Sequence, residues 1–122
     1  MNSKLDFVFS RRSIRKYQNK AVPAELISDL LEAAMAAPSA VAKDPWHFIV
    51  VQSRETLDKI TGILPNGKLL REAPVAFIVC GDINKAHLQE ESYLFQDLRP
   101  AVANTLLPAH SLGLCTSWRW VQ

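Results

Sequence analysis

Seven prolines divide this chain, and their positions limit what can form between them. Proline has a fixed φ and no N–H to donate, so a helix accepts it in the first turn and resists it in the interior. Pro23 stands at such a permissive place. After it Leu26, Ile27, Leu30, Leu31 and Ala34 recur at helical spacing until Pro38 stops the run, which predicts an amphipathic helix between the two prolines. Pro38 and Pro45 then bracket small residues, Ser39-Ala40-Val41-Ala42, which read as a loop whose backbone another group can approach closely. His47 to Val51 follows as an apolar run that fits a buried strand. Arg54 to Ile63 reads as a helix with Leu57, Ile60 and Leu64 on one side, broken by Pro65-Asn66-Gly67, and Lys68 to Glu72 makes a short helical or turn segment. Val75 to Cys80 is a second buried strand closed by Gly81-Asp82. From Lys85 to about Leu112 the pattern is helical again, interrupted by Pro100 and Pro108, with Gly113 as its end, and Thr116 to Val121 reads as a last strand.

Helices alternating with two or three apolar strands indicate an α+β or α/β layered domain. The 122 residues, 48% hydrophobic and 21% charged, suffice for one such domain, 1–122, with a packed core, and exclude global disorder. Cys80 and Cys115 lie far apart in no metal or redox spacing, so a reducing, cytoplasmic setting is expected. His47, His87 and His110 show no ligand spacing either, and no metal site is expected. The longest apolar run, Val75 to Cys80, is too short for a bilayer, and the N-terminus carries Asp6 and no run of signal-peptide length; no membrane partner is expected.

Charge is concentrated where the prolines are absent. Asn2 or Ser3 can cap a short helix over Leu5 to Phe9. Beyond it, in Arg11-Arg12-Ser13-Ile14-Arg15-Lys16-Tyr17, alternate residues share a face, as in a short strand or extended arm. The first twenty residues hold six basic side chains against one acid, an excess of +5, whereas the other 102 sum to −3. A net charge of +2 is too small for a generic nucleic-acid binder, whose affinity comes from neutralising many phosphates. The local excess fits a smaller anion. Guanidinium forks match phosphate oxygens in pairs, and Ser13 adds a hydroxyl, so a phosphate is the natural guest. Near Pro38-Ser39-Ala40 the small residues suit a flat ligand, while Trp46 and Phe48 read either as pocket wall or as ordinary core. Glu90, Glu91 and Asp97 are read as solvated carboxylates on a polar helix, and no glycine-rich dinucleotide loop is present.

Together these segments resemble the nitroreductase family of FMN-dependent oxidoreductases. The residues that carry the resemblance are Phe9-Ser10-Arg11-Arg12-Ser13-Ile14-Arg15-Lys16-Tyr17, Ala37-Pro38-Ser39-Ala40 and Pro45-Trp46-His47-Phe48-Ile49-Val50-Val51. Ala73-Pro74, Gly81-Asp82 and Ser111-Leu112-Gly113-Leu114 before Trp118 add to it. The resemblance implies a three-layer α/β/α domain of α+β class with a mainly antiparallel sheet, incomplete at its C-terminal end because relatives continue further. It implies hydride passing from NADH or NADPH through FMN to a nitroaromatic, quinone or similar small acceptor, with no catalytic side chain required. Arg11 is then expected at the FMN phosphate, Arg12 and Ser13 at the phosphate and ribityl chain, and Arg15 at the pyrimidine side of the ring, where a cation favours reduction. Pro38, Ser39 and Ala40 are expected to reach the flavin from the neighbouring subunit of an intertwined homodimer with FMN at its interface, and Asn66 to lie near the flavin. The chain departs from its relatives at Ala42 and Asp44, where many have asparagine and glutamine, at Pro100 and Pro108, at Cys115, and over Arg119-Trp120-Val121-Gln122. These departures leave a second expectation, a non-catalytic truncated remnant that keeps the dimer fold and at most weak flavin binding.

Overall fold

The Asn2 side chain accepts the Lys4 N–H at 2.9 Å and starts a 3₁₀ turn, Ser3–Leu5, that runs into α1 (Asp6–Ser10). The computed structural model describes residues 2–119. Pro23 precedes α2 (Ala24–Met35), which buries Ile27, Leu30 and Ala34 as the spacing requires. A 3₁₀ turn at Ala40–Ala42 interrupts the proline-bracketed loop before β1 (Trp46–Val51). Ser53 caps α3 (Arg54–Ile63) by accepting the Thr56 N–H at 3.4 Å, and Leu57 on its inner side is 1% exposed. Arg54 ties α3 to the following 3₁₀ turn, Gly67–Arg71, by donating to the carbonyls of Leu70 and Ala73. The second strand, β2 (Ala76–Gly81), pairs antiparallel with β1, Trp46 opposite Gly81 and Val51 opposite Ala76. With these elements the chain is α+β, and its sheet is antiparallel as expected.

The last helix, α4 (Glu91–Ser111), is the hub, since it meets α2, β2 and α1. Its inward stripe is Leu94, Asp97, Ala101, Thr105 and Ala109, recurring every three or four residues. Ala101 and the α2 residue Ala34 have no exposed surface, and such small side chains let two helix backbones approach closely. Ala37, Trp46 and Ala101 form the core cluster, with Phe48 and Leu98 packed against it, so Trp46 and Phe48 serve as core. Gly81 ends β2 beneath this helix; a Cβ there would lie 2.5 Å from Leu94 Cδ1, so the residue is glycine because Leu94 fills its space.

Four sequence expectations change. The strands are not buried on both faces: every residue of Ala76–Cys80 is half-buried, and His47 and Ile49 are exposed, because helix α4 covers the face that carries Trp46 and Phe48. The last helix starts at Glu91 rather than near Lys85, after a turn in which Leu88 and Gln89 adopt φ of 56° and 51°. It then runs unbroken through Pro100 and Pro108. Each interior proline costs about 3 kcal/mol, so burial of the inward stripe must outweigh that cost. Of the last strand only a bridge from Thr116 to Ser13 forms, and the expected Trp120 and Val121 lie outside the described residues. Finally, Glu90 and Glu91 are exposed, but Asp97 is 4% exposed and faces the core.

Candidate functional site

The basic arm leaves α1 at Arg11 and is fixed at both ends. Arg12 folds back over α1, its Nη1 donating to the carbonyls of Phe9 and Arg11, each at 2.9 Å, and so caps the helix end. The Ser10 hydroxyl donates to the Asp6 carbonyl at 2.5 Å; its one proton being used, it accepts from His110 Nε2 at 2.8 Å. Farther along, the Ile14 N–H donates to the Thr116 carbonyl at 2.9 Å. Of the two readings, short strand or extended arm, the segment takes the second, clamped against the end of α4 and the residues just past it. Arg11 is half-buried, and Arg12, Ser13 and Arg15 are exposed. Beyond them, burial pushes the Tyr17 hydroxyl above its ordinary value of 10.0; the Cys115 thiol adds to the rise, and Arg119 and Arg15 oppose it.

The Pro38–Ala40 loop is held differently. Ser39 is extended, its hydroxyl donating to Asp44 Oδ1 at 2.6 Å while accepting the Asp44 N–H at 2.9 Å. Asp44 thus closes the loop on itself. The Ala40 N–H donates to Asp97 Oδ1 at 2.8 Å, and Asn104, two helical turns farther along α4, donates from Nδ2 to the Ala33 carbonyl at 3.0 Å. Between these ties Val41, Ala42 and Asp44 take φ of 54°, 52° and 48°. A left-handed L-residue costs about 1–2 kcal/mol, and three in one loop persist only where neighbouring bonds over-determine them. Beside the loop lies an open cleft of about 530 Å³ lined by Val41, Lys43, Lys85, His87 and Leu88.

Both halves attach to α4, the arm at His110 and the loop at Asp97, about 20 Å apart at the helical rise. Arg11, Arg12, Ser13 and Arg15 lie along one arm and Pro38, Ser39 and Ala40 along one loop, and one chain presents the two groups at separate stations. Asn66 sits on a third element, exposed at the turn after α3 with φ 59°, a conformation asparagine tolerates. Sequence reading missed Asp97, Asn104, His110 and Thr116. Asp97 was signalled by its phase, since it falls on the spacing of Leu94, Ala101 and Thr105; the others fasten backbone by tertiary contacts that no local pattern reveals. Among the described residues no three His, Cys, Asp or Glu side chains are grouped to hold a metal ion, and no helix is long and apolar enough to cross a membrane.

The sequence and fold recur in known proteins. A model of the Nitroreductase family matches residues 8–64, from α1 to the end of α3. A protein of Methanothermobacter thermautotrophicus, provisionally named an NADH dehydrogenase/NAD(P)H nitroreductase, is 50% identical over 96% of the chain, which spans 60% of that relative's length. A crystal structure of a protein under the same provisional name from Parabacteroides distasonis superposes with a TM-score of 0.87 at 38% identity, covering 97% of this chain and 68% of that one. A provisionally named nitroreductase of Desulfovibrio desulfuricans, solved in complex with FMN, gives a TM-score of 0.82 at 33% identity, covering 92% of this chain and 64% of that one. With that identity extending over nearly all of its length and the same fold beneath it, the chain belongs to the nitroreductase family.

Proposed function

We propose that the chain forms the FMN-binding part of an NAD(P)H-dependent oxidoreductase of nitroreductase type. The observation that carries this reading is the clamped arginine arm, Arg11 to Arg15, which concentrates cationic donors on a segment fixed at Ser10 and Ile14. Its chemistry suits the phosphate end of FMN: Arg11 and Arg12 supply guanidinium donors and Ser13 a hydroxyl. Arg15 would hold positive charge at the pyrimidine edge of the ring. When bound, FMN supplies hydride transfer between NADH or NADPH and a nitroaromatic, quinone or similar small acceptor.

Pro38, Ser39 and Ala40 would form the other wall, their small side chains admitting a flat ring. The separation of loop and arm along α4 supports a homodimer in which one protomer's arm faces its partner's loop. Leu5, Phe7, Val8, Phe9 and Ile14 are all exposed, and an apolar ridge of that kind fits an interface between copies. Asn66 would approach the ring from the α3 turn.

The test is to purify the chain, add FMN and record its visible spectrum and fluorescence. The expected result is a retained flavin band at about 450 nm, with affinity lowered at least tenfold by Arg11→Ala. Absence of binding to the wild-type chain would overturn the reading. NADH oxidation in the presence of menadione, above the rate with free FMN, separates an enzyme from a flavin-binding remnant.

A further inference from the structure

Asp97 is an acid on the inward stripe of a helix whose neighbouring stripe positions are Leu94, Ala101, Thr105 and Ala109. It is buried, and Oδ2 has no hydrogen-bond partner among the described residues. A half-satisfied buried carboxyl is worse for stability than an apolar side chain of similar volume, so packing does not account for its presence. Its Oδ1 reaches across 57 residues to one atom, the backbone nitrogen of Ala40. That nitrogen belongs to the first residue of the Ala40–Ala42 turn, ahead of the left-handed positions Val41, Ala42 and Asp44. The loop's internal ties, Ser39 to Asp44 and the backbone bonds of Ala42 to Ser39 and Lys43 to Ala40, close it locally but do not set its place on the body of the fold. Joining α2 to α4 needs no acid, because the Asn104 to Ala33 bond already does so.

The geometry points to Asp97 as the positioning residue of the Pro38–Ala40 wall: through Ala40 it sets the distance of that wall from the flavin ring. This rests on the FMN reading above. Asp97 does not touch the cofactor; it acts through the backbone it holds. What matters is therefore the reach of its oxygen and not its charge, which separates this role from an electrostatic one.

The full chain should be compared with D97N, which keeps an acceptor oxygen at the same reach without the charge, and with D97E, which keeps the carboxyl but moves it outward by one methylene. FMN affinity by fluorescence titration should stay within about threefold in D97N and fall about tenfold or more in D97E, since a displacement of about 1 Å in a positioned wall carries a penalty of that order. In the cofactor-free chain the Ala40 amide hydrogen should exchange slowly in wild type and D97N and faster in D97E. Should D97E fail to fold, D97A takes its place with the same expected losses. Equal FMN affinity in D97E and wild type, or D97N as weak as D97E, overturns the inference alone. An Ala40 amide that exchanges at an open-loop rate in the wild-type chain overturns it without any variant. A wild-type chain that binds no FMN while its Ala40 amide is protected overturns the functional reading, and the cofactor role of Asp97 with it.

Discussion

Replacing Pro100 with alanine should stabilise this chain. Pro100 stands inside α4, which continues to Ser111, and it denies the Gln96 carbonyl its partner four residues on. An interior proline costs about 3 kcal/mol relative to alanine. Two effects oppose the gain. Alanine frees the unfolded chain, which returns roughly 0.7 kcal/mol to the unfolded state. The half-buried ring also gives up about one methylene's worth of burial, about 0.8 kcal/mol. The net is about 1.5 kcal/mol in favour of P100A. An unfolding entropy of about 2.1 cal/mol/K per residue over the whole chain converts this into a rise in Tm of about 6 °C. Calorimetry at one fixed protein concentration, without FMN, measures it. A Tm equal to or below the wild-type value would refute the reasoning, since it would mean that the packing of the Pro100 ring is worth at least as much as the hydrogen bond it denies to α4.

Three further outcomes are expected. Leu57, the largest side chain of α3 removed from solvent, should cost about 2–5 kcal/mol when changed to alanine, read as a shift in the urea midpoint; a loss below about 1 kcal/mol would place the core elsewhere. Gly81→Ala should destabilise by about 1–3 kcal/mol because its Cβ meets Leu94, and adding Leu94→Ala should cost less than the two single losses combined; strict additivity in that double-mutant cycle would deny the contact. Tyr17 has its folded value raised above 10.0, so its neutral form is favoured by folding: the contribution is complete below that pH and is lost as pH rises through the folded value. Wild-type stability should thus fall more steeply than that of Tyr17→Phe above about pH 10, and parallel curves would count against a buried phenol.

Much of the local structure was legible because it obeys local rules. The prolines at 23 and 38 bound α2, the apolar runs became β1 and β2, and α3 begins and ends where its spacing placed it. What failed did so for tertiary reasons. Pro100 and Pro108 read as helix interruptions because local propensity counts the lost bonds but not the burial of Ala101 and Ala109 beside them. Asp97 read as solvated because charge is the usual guide to exposure, and only its phase against Leu94 and Ala101 said otherwise. Both strands read as buried because an apolar run does not say how many faces are covered, and here α4 covers one. The arm and the small-residue loop were recognisable from composition, yet the features that fix them, His110, Thr116 and Asp97, lie far along the chain.

That distance shapes how the protein comes into being. The family motif occupies residues 8–64, whereas the helix that fastens its two parts begins at Glu91. During synthesis at about 5–20 residues per second, Ala40 waits roughly 3–11 s for Asp97 to follow it. Ser10 waits longer for His110. Through that interval Ile27, Leu30 and Ala34 of α2 have no α4 to lie against, which makes the nascent N-terminal half a natural client for a chaperone that shields hydrophobic surface until the last helix emerges.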